Sequence, residues 1–127
     1  MNKTRILFVE DDDALRETVA ALLSAEGYDV VAIDEGSEAV SLLESMADFD
    51  LLITDIGMPN VNGLDVIKSS HELRPNMDIL VVSALLNEET VDKITKLGAA
   101  GYIKKPFSLQ DILDPVNALV LRRTRGG

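Results

Sequence analysis

Leu51-Leu52-Ile53-Thr54-Asp55-Ile56-Gly57-Met58-Pro59-Asn60-Val61-Asn62-Gly63 decides the fold, because an apolar run stops at a carboxylate and a turn-rich loop follows. Leu51 to Ile53 are apolar at consecutive positions rather than alternate ones. That is the pattern of a strand covered on both faces, and so of a parallel sheet. Other segments end in the same way. Ile6-Leu7-Phe8-Val9 runs into Glu10, Asp11, Asp12 and Asp13, Ile79-Leu80-Val81-Val82 into Ser83-Ala84, and Gly101-Tyr102-Ile103 into Lys104-Lys105-Pro106-Phe107. The C-terminal ends of parallel strands lie side by side, which predicts one polar crevice shared by Asp55, the acids, the serine and the lysine.

Between these runs the spacing turns helical. Leu15, Val19, Leu22 and Leu23 recur on one helical face, and Gly27 supplies a stop. Tyr28 to Ile33 reads as a further strand and Ser37 to about Met46 as a helix. A third helix is predicted from about Leu64 to Leu73, stopping before Arg74-Pro75, and a fourth from about Glu88 to Leu97 with Gly98 just beyond. Ser108 caps a last helix with Leu109, Ile112, Leu113, Val116, Leu119 and Val120 on one face. Strands and helices alternate strictly, the signature of an α/β fold. Pro115 falls inside the last helical pattern and removes a backbone donor. It predicts either a kink or a fresh helical start capped by Asp114.

A chain of 127 residues suits one domain with a real core. No apolar run approaches the roughly 18 residues of a membrane span, and the N-terminus lacks the apolar region of a signal peptide. The chain has no cysteine, which excludes disulfides and thiolate metal sites and makes a reducing cytoplasm the expected compartment. A formal charge of −10 argues against a nucleic-acid surface on this domain. Arg122, Arg123 and Arg125 form the one basic cluster, read as a solvated helix end or the start of a linker. The expected organisation is a domain over residues 1–122 and a tail over 123–127.

Gathering Glu10, Asp11 and Asp55 in one crevice is electrostatically costly, since two like charges about 4 Å apart repel by roughly 4 kcal/mol at an effective dielectric near 20. A hard divalent cation relieves that cost, and Mg²⁺ prefers a site of one or two carboxylates completed by waters or phosphate oxygens. Zinc does not fit, because the sole histidine, His71, falls on the third helix as a solvated residue. Asp12 and Asp13 read instead as a charged first helical turn, with Asp13 as the cap. A carboxylate beside Mg²⁺ can attack phosphorus to form an acyl phosphate, a step that depends on charge stabilisation of the transferred oxygens. Lys105 offers a compact positive charge for those oxygens, Ser83 a hydroxyl donor and Ala84 a backbone amide.

Along nearly its whole length the chain resembles the receiver domain of two-component response regulators. The motifs are Val9-Glu10-Asp11-Asp12, Asp55 through Gly63, Val82-Ser83-Ala84, and Gly101 through Phe107, in this order and at these separations. The resemblance implies a doubly wound, flavodoxin-like (βα)₅ sandwich with strand order 2-1-3-4-5. It implies that Asp55 accepts a phosphoryl group from a phosphohistidine on a sensor histidine kinase or histidine phosphotransfer protein. Glu10, Asp11, Asp55 and the carbonyl of Gly57 match the family's Mg²⁺ set, with Glu10 reaching the metal through water. Lys105, in a bond to Pro106 that is usually cis in the family, matches the lysine that pairs with the phosphoryl oxygens. Ser83 matches the switch hydroxyl and Tyr102 the switch aromatic. Their movement remodels the face of helix four, strand five and helix five, for a downstream effector, an output domain or a homodimer. The chain is then a signalling switch that catalyses its own phosphorylation and dephosphorylation, not an enzyme acting on other substrates. Gly57 and Leu85 occupy positions the family uses to tune acyl-phosphate lifetime, and Pro115 stands on the expected output face. A stand-alone chain, or a receiver excised from a larger regulator, is expected.

Two other functions compete on the same residues. Asp11-Asp12-Asp13 mimics the Asp-x-Asp of haloacid-dehalogenase-like phosphatases, although the chain is short for that family and lacks its later acidic pair near Gln110-Asp111. A flavodoxin-like cofactor binder would need glycine and serine after the first strand, where four acids stand.

Overall fold

The structure is a computed structural model that describes residues 3–45, 48–57 and 63–126. Met58 to Asn62 of the central motif and Met46, the expected end of the second helix, lie outside the described residues. Strands and helices alternate as β1 (Arg5–Val9), α1 (Asp13–Ala25), β2 (Asp29–Ile33), α2 (Gly36–Glu44), β3 (Leu51–Thr54), α3 (Gly63–Leu73), β4 (Asp78–Ser83), α4 (Glu88–Lys96), β5 (Gly101–Lys104) and α5 (Leu109–Gly126). All strands pair in parallel in the order β2-β1-β3-β4-β5. This is the doubly wound architecture predicted above.

Alternation along each strand sends successive side chains to opposite faces. Leu7, Val9, Leu52, Ile79 and Val81 pack with Ala39, Leu43, Ile67 and Ile94 of α2, α3 and α4. Ile6, Phe8, Leu51, Ile53, Leu80 and Val82 pack with Val19, Leu23, Ile112 and Val116 of α1 and α5. Both faces are covered, which is why the strand runs are continuously apolar. Each of the buried Val, Leu, Ile and Phe side chains among these stabilises the fold by roughly 1.5–3 kcal/mol. The chain passes outward from β1 to β2 and then returns to β3 on the other side of β1. That reversal opens a crevice at the C-terminal ends of β1 and β3, where Glu10, Asp11 and Asp55 follow.

Local chemistry departs from expectation in instructive places. The cap of α1 is Asp12 rather than Asp13, its Oδ1 accepting from Leu15 N at 3.0 Å. Asp13 is the first helical residue and pairs with Arg16. Ser108 and Asp111 cap α5 reciprocally, Ser108 Oγ accepting from Asp111 N at 3.2 Å and Asp111 Oδ2 from Ser108 N at 3.0 Å. Pro115 neither ends α5 nor restarts it, because one continuous helix encloses it. Tyr28 precedes β2, and its hydroxyl donates to Asn117 of α5. His71 is only half exposed, its ring packed where a side chain on Gly98 would stand. Gly98 at φ +110° and Gly27 at φ +95° end α4 and α1 in the left-handed conformation that glycine adopts without strain.

Arg122 and Arg123 are not merely solvated. Arg122 Nη2 meets Asp78 Oδ1 at 2.9 Å, and Arg123 lies 3.7 Å from Asp50 and 3.6 Å from Asp78. They fasten the end of α5 to the N-terminal edge of the sheet.

Candidate functional site

Each predicted residue at the crevice is delivered by the end of a buried strand. Val9 pairs with Thr54 and Thr54 with Val81, while Ser83 pairs with Lys104, so residues 10, 55, 83 and 105 emerge close together. Glu10 is 1% exposed and Asp55 7%, both far more buried than carboxylates usually are. Ser83 is fully buried, and Asp11 stands exposed at the mouth.

Lys105 ties the two buried acids together. Its Nζ donates to Asp55 Oδ2 at 2.6 Å and lies 2.6 Å from Glu10 Oε1. Burial opposes the charge on Lys105, but its hydrogen bond to Asp55 and its attraction to Asp55 and Glu10 outweigh it and raise its pKa above the ordinary value. For Glu10 the balance runs the other way. Burial raises its pKa, and Lys105 together with the Asp12 amide offsets this only in part. The second oxygen of each acid takes a backbone donor: Glu10 Oε2 accepts from Asp12 N at 3.1 Å, and Asp55 Oδ1 from Gly57 N at 2.8 Å.

The remaining oxygen chemistry suits a hard cation. Glu10, Asp11 and Asp55 each present a carboxylate oxygen, and these lie within 4.8 Å of one another. Glu10 Oε1 is buried without a hydrogen bond, since the lysine approaches it outside hydrogen-bonding angles. A buried carboxylate oxygen in that state has lone pairs to give, and an all-oxygen set favours Mg²⁺ or Ca²⁺ over softer metals. The residues fit a magnesium ion.

The other predicted residues are divided between crevice and surface. Ser83 Oγ accepts from Leu85 N at 3.0 Å and so points toward the loop after β4. Ala84 is exposed and borders a cleft of about 650 Å³ with Leu15, Lys105, Pro106 and Phe107. The Lys105–Pro106 peptide is cis. Tyr102, 53% exposed, stands outside the crevice and lines a groove with Leu86 of the loop after β4 and with Val91 and Thr95 of α4. A side chain on Gly57 would meet Asp55 Oδ1 at 3.4 Å and Leu85 Cδ1 at 3.5 Å, so Leu85 overhangs the space that Gly57 leaves open.

Two contributors escaped the sequence reading. Arg16 donates Nη1 to the Glu10 carbonyl at 2.9 Å and Nη2 to Asp13 Oδ1 at 2.6 Å. A cation in the first turn of a helix runs against the macrodipole, and that oddity was the available signal. Gly63, at the start of α3, leaves no room for a side chain, because a Cβ there would lie 2.2 Å from Ile56 Cα. Gly63 closes the central motif quoted above, but nothing local in the sequence marks its close approach to Ile56.

The phosphatase alternative needs Asp11 and Asp13 of its Asp-x-Asp together, and the structure spends Asp13 on Arg16. Comparison with known proteins points the same way. A family model described as the response regulator receiver domain matches residues 6–117. The cell cycle transcriptional regulator CtrA of Caulobacter vibrioides is 33% identical over 122 residues, covering 96% of this chain and 52% of CtrA. The chain therefore spans about half the length of the curated relatives it matches. Among solved structures, a CheY-like response regulator receiver domain protein from Methanospirillum hungatei superposes with a TM-score of 0.93 at 28% identity. That likeness covers 99% of this chain and 100% of the other. A response regulator from Burkholderia pseudomallei, solved with a phosphorylated aspartic acid, a calcium ion and citrate, superposes with a TM-score of 0.80 at 28% identity. It covers 87% of this chain and 65% of that one.

Proposed function

The chain belongs to the response regulator receiver domain family, and we propose that Asp55 is its phosphoacceptor, with Glu10, Asp11, Asp55 and the Gly57 carbonyl as the Mg²⁺ site. The observation that carries this is the buried Asp55 carboxylate held between the Lys105 ammonium and the Gly57 amide, with Glu10 and Asp11 within reach. A phosphohistidine on a sensor kinase or phosphotransfer protein supplies the phosphoryl group. The P–N bond to imidazole breaks as an Asp55 oxygen bonds to phosphorus, and the imidazole leaves with the electron pair. Bound at the acids, Mg²⁺ offsets their repulsion and draws charge from the transferred oxygens. Lys105 already carries its charge beside Asp55 and pairs with the incoming oxygens without reorganising. The buried walls of the crevice keep those interactions strong.

Readout follows from the charge the phosphoryl group adds. Ser83 gives up the Leu85 amide to donate to the phosphoryl oxygens, and the loop after β4 moves with it. Tyr102 turns inward from its exposed position, altering the face built from α4, β5 and α5. A local capture of charge thereby biases a two-state surface. That surface serves a downstream effector, a second copy of the chain, or an output domain of the kind that lengthens the curated relatives. Among the described residues no helix is long and apolar enough to cross a membrane, and cytoplasmic action follows from the partnership with a kinase.

Acetyl phosphate with Mg²⁺ should add one phosphoryl group, about 80 Da by intact mass. Asp55→Asn should take up none, and removing Mg²⁺ with a chelator should suppress labelling of the wild type. Equal labelling of Asp55→Asn would sink the assignment.

A further inference from the structure

Arg16 holds the loop between β1 and α1 without belonging to the phosphoryl or metal chemistry. Its side chain is 18% exposed and reaches back along the chain to the carbonyl of Glu10, while its other arm takes Asp13. The Glu10 carbonyl belongs to the peptide that joins Glu10 to Asp11. Holding that carbonyl fixes the peptide plane and the position of the Asp11 Cα, leaving only rotation about the N–Cα bond to aim the side chain, and the Asp12 amide held by Glu10 Oε2 restrains that rotation. The loop is closed on its other side as well, by the Asp12 amide on Glu10 Oε2 and the Asp12 carboxylate on Leu15 N. Arg16 therefore completes a frame around the two acids that end β1.

We infer that Arg16 is a positioning residue for the divalent cation: it orients Glu10 and Asp11 toward Asp55 and touches neither metal nor phosphoryl group. The inference rests on Glu10, Asp11 and Asp55 being the Mg²⁺ site. Charge alone would give Arg16 the opposite effect, since a positive group near the site repels Mg²⁺. That repulsion is muted, because the guanidinium is already paired with Asp13. Positioning and repulsion thus predict opposite signs for the same substitution. Lysine cannot replace arginine here, because one ammonium does not span a carbonyl and a carboxylate as a planar fork does.

The test is a Mg²⁺ titration of the full chain followed by amide NMR shifts, alongside melting of the metal-free protein. Arg16→Ala should bind Mg²⁺ about tenfold more weakly, as is typical when a group that orients a metal ligand is removed. Arg16→Lys should recover only part of that loss, and both variants should melt within a few degrees of wild type without metal. Arg16→Ala binding Mg²⁺ as tightly as wild type, or more tightly, overturns the inference. Should Arg16→Ala fail to fold, Arg16→Lys decides on the same criterion. Asp11→Asn separates the two levels of argument. If the wild type itself shows no Mg²⁺ shifts, the metal site falls. If the wild type binds, Asp11→Asn does not, and Arg16→Ala matches wild type, only the role of Arg16 falls.

Discussion

Replacing Lys105 with methionine keeps most of the side-chain length and deletes the single ammonium between two buried acids. Its Nζ stands 2.6 Å from both Glu10 Oε1 and Asp55 Oδ2, on side chains only 1% and 9% exposed. Breaking a buried pair by removing one partner costs about 3–5 kcal/mol. Lys105 is itself 20% exposed, so the lower end applies and about 3 kcal/mol is expected at neutral pH without metal. For a domain of this size that lowers the melting temperature by roughly 10 °C. The deficit should depend on pH with a definite sign. Burial raises the Glu10 pKa in the fold above its ordinary 4.5. Protonated Glu10 therefore contributes stability that is fully present below 4.5 and is lost as pH rises through the higher folded value. Without Lys105 that folded value climbs further, and the deficit should shrink as pH falls toward 4.5. At the alkaline end, the wild-type advantage is present below 10.5, the ordinary lysine value, and is lost as pH rises through the elevated folded value. Mg²⁺ at ten times its Kd adds about 1.4 kcal/mol to a fold that binds it, and the variant should gain more than wild type because its acids are unpaired. Urea unfolding followed by circular dichroism, at neutral and acidic pH and with or without Mg²⁺, measures all of this. Equal stability of the two proteins at neutral pH without metal, or a deficit unchanged by pH, refutes the account.

Pro115→Ala should stabilise the fold by about 1–2 kcal/mol, because it restores a helical N–H opposite the Asp111 carbonyl at a position where proline is costly. A urea midpoint at or below that of wild type would show that the helix has already accommodated the ring. Gly63→Ala should cost about 1–3 kcal/mol by overpacking, since its Cβ would fall 2.2 Å from Ile56 Cα and 2.8 Å from Ile56 C, backbone atoms that cannot rotate away. Ile56 adjoins Asp55, so the same variant should also be phosphorylated more slowly by acetyl phosphate, and normal labelling would show that the loop absorbs the strain.

The sheet was legible because a strand covered on both faces leaves an unbroken apolar run, and each run announces its own end with a charged or polar residue. Ile53-Thr54-Asp55 and Val9-Glu10-Asp11 needed no tertiary information to place the crevice. The residues that arrange the crevice were harder to read, since their roles depend on where a long side chain folds back. Asp12 and Asp13 are chemically alike, and only backbone geometry decides that Asp12 caps α1 while Asp13 faces Arg16. Arg122 and Arg123 looked like a free basic end because their partners Asp78 and Asp50 are distant in sequence. His71 looked solvated because its neighbour Gly98 lies on the loop after α4. Local patterns encode the strands; long side chains crossing between elements leave no periodic trace.

The two ends of the sheet treat their acids differently, and the contrast locates function without reference to any motif. At the N-terminal edge, Asp29 meets Arg5 at 3.2 Å, and Asp78 meets Arg122 and Arg123 at 2.9 and 3.6 Å. Asp50 accepts from the Arg5 amide at 2.9 Å and lies 3.7 Å from Arg123. Three acids there face three arginines, and exposed pairs of this kind contribute at most about 1 kcal/mol each. At the C-terminal end, Glu10, Asp11 and Asp55 converge with one ammonium between the two buried members. The edge that needs no ligand is neutralised from within the chain, at modest gain. The crevice is left short of positive charge where burial makes the shortage most costly. Such an imbalance favours a cation from solution, and under the function proposed above Asp55 is the acid that reacts beside it.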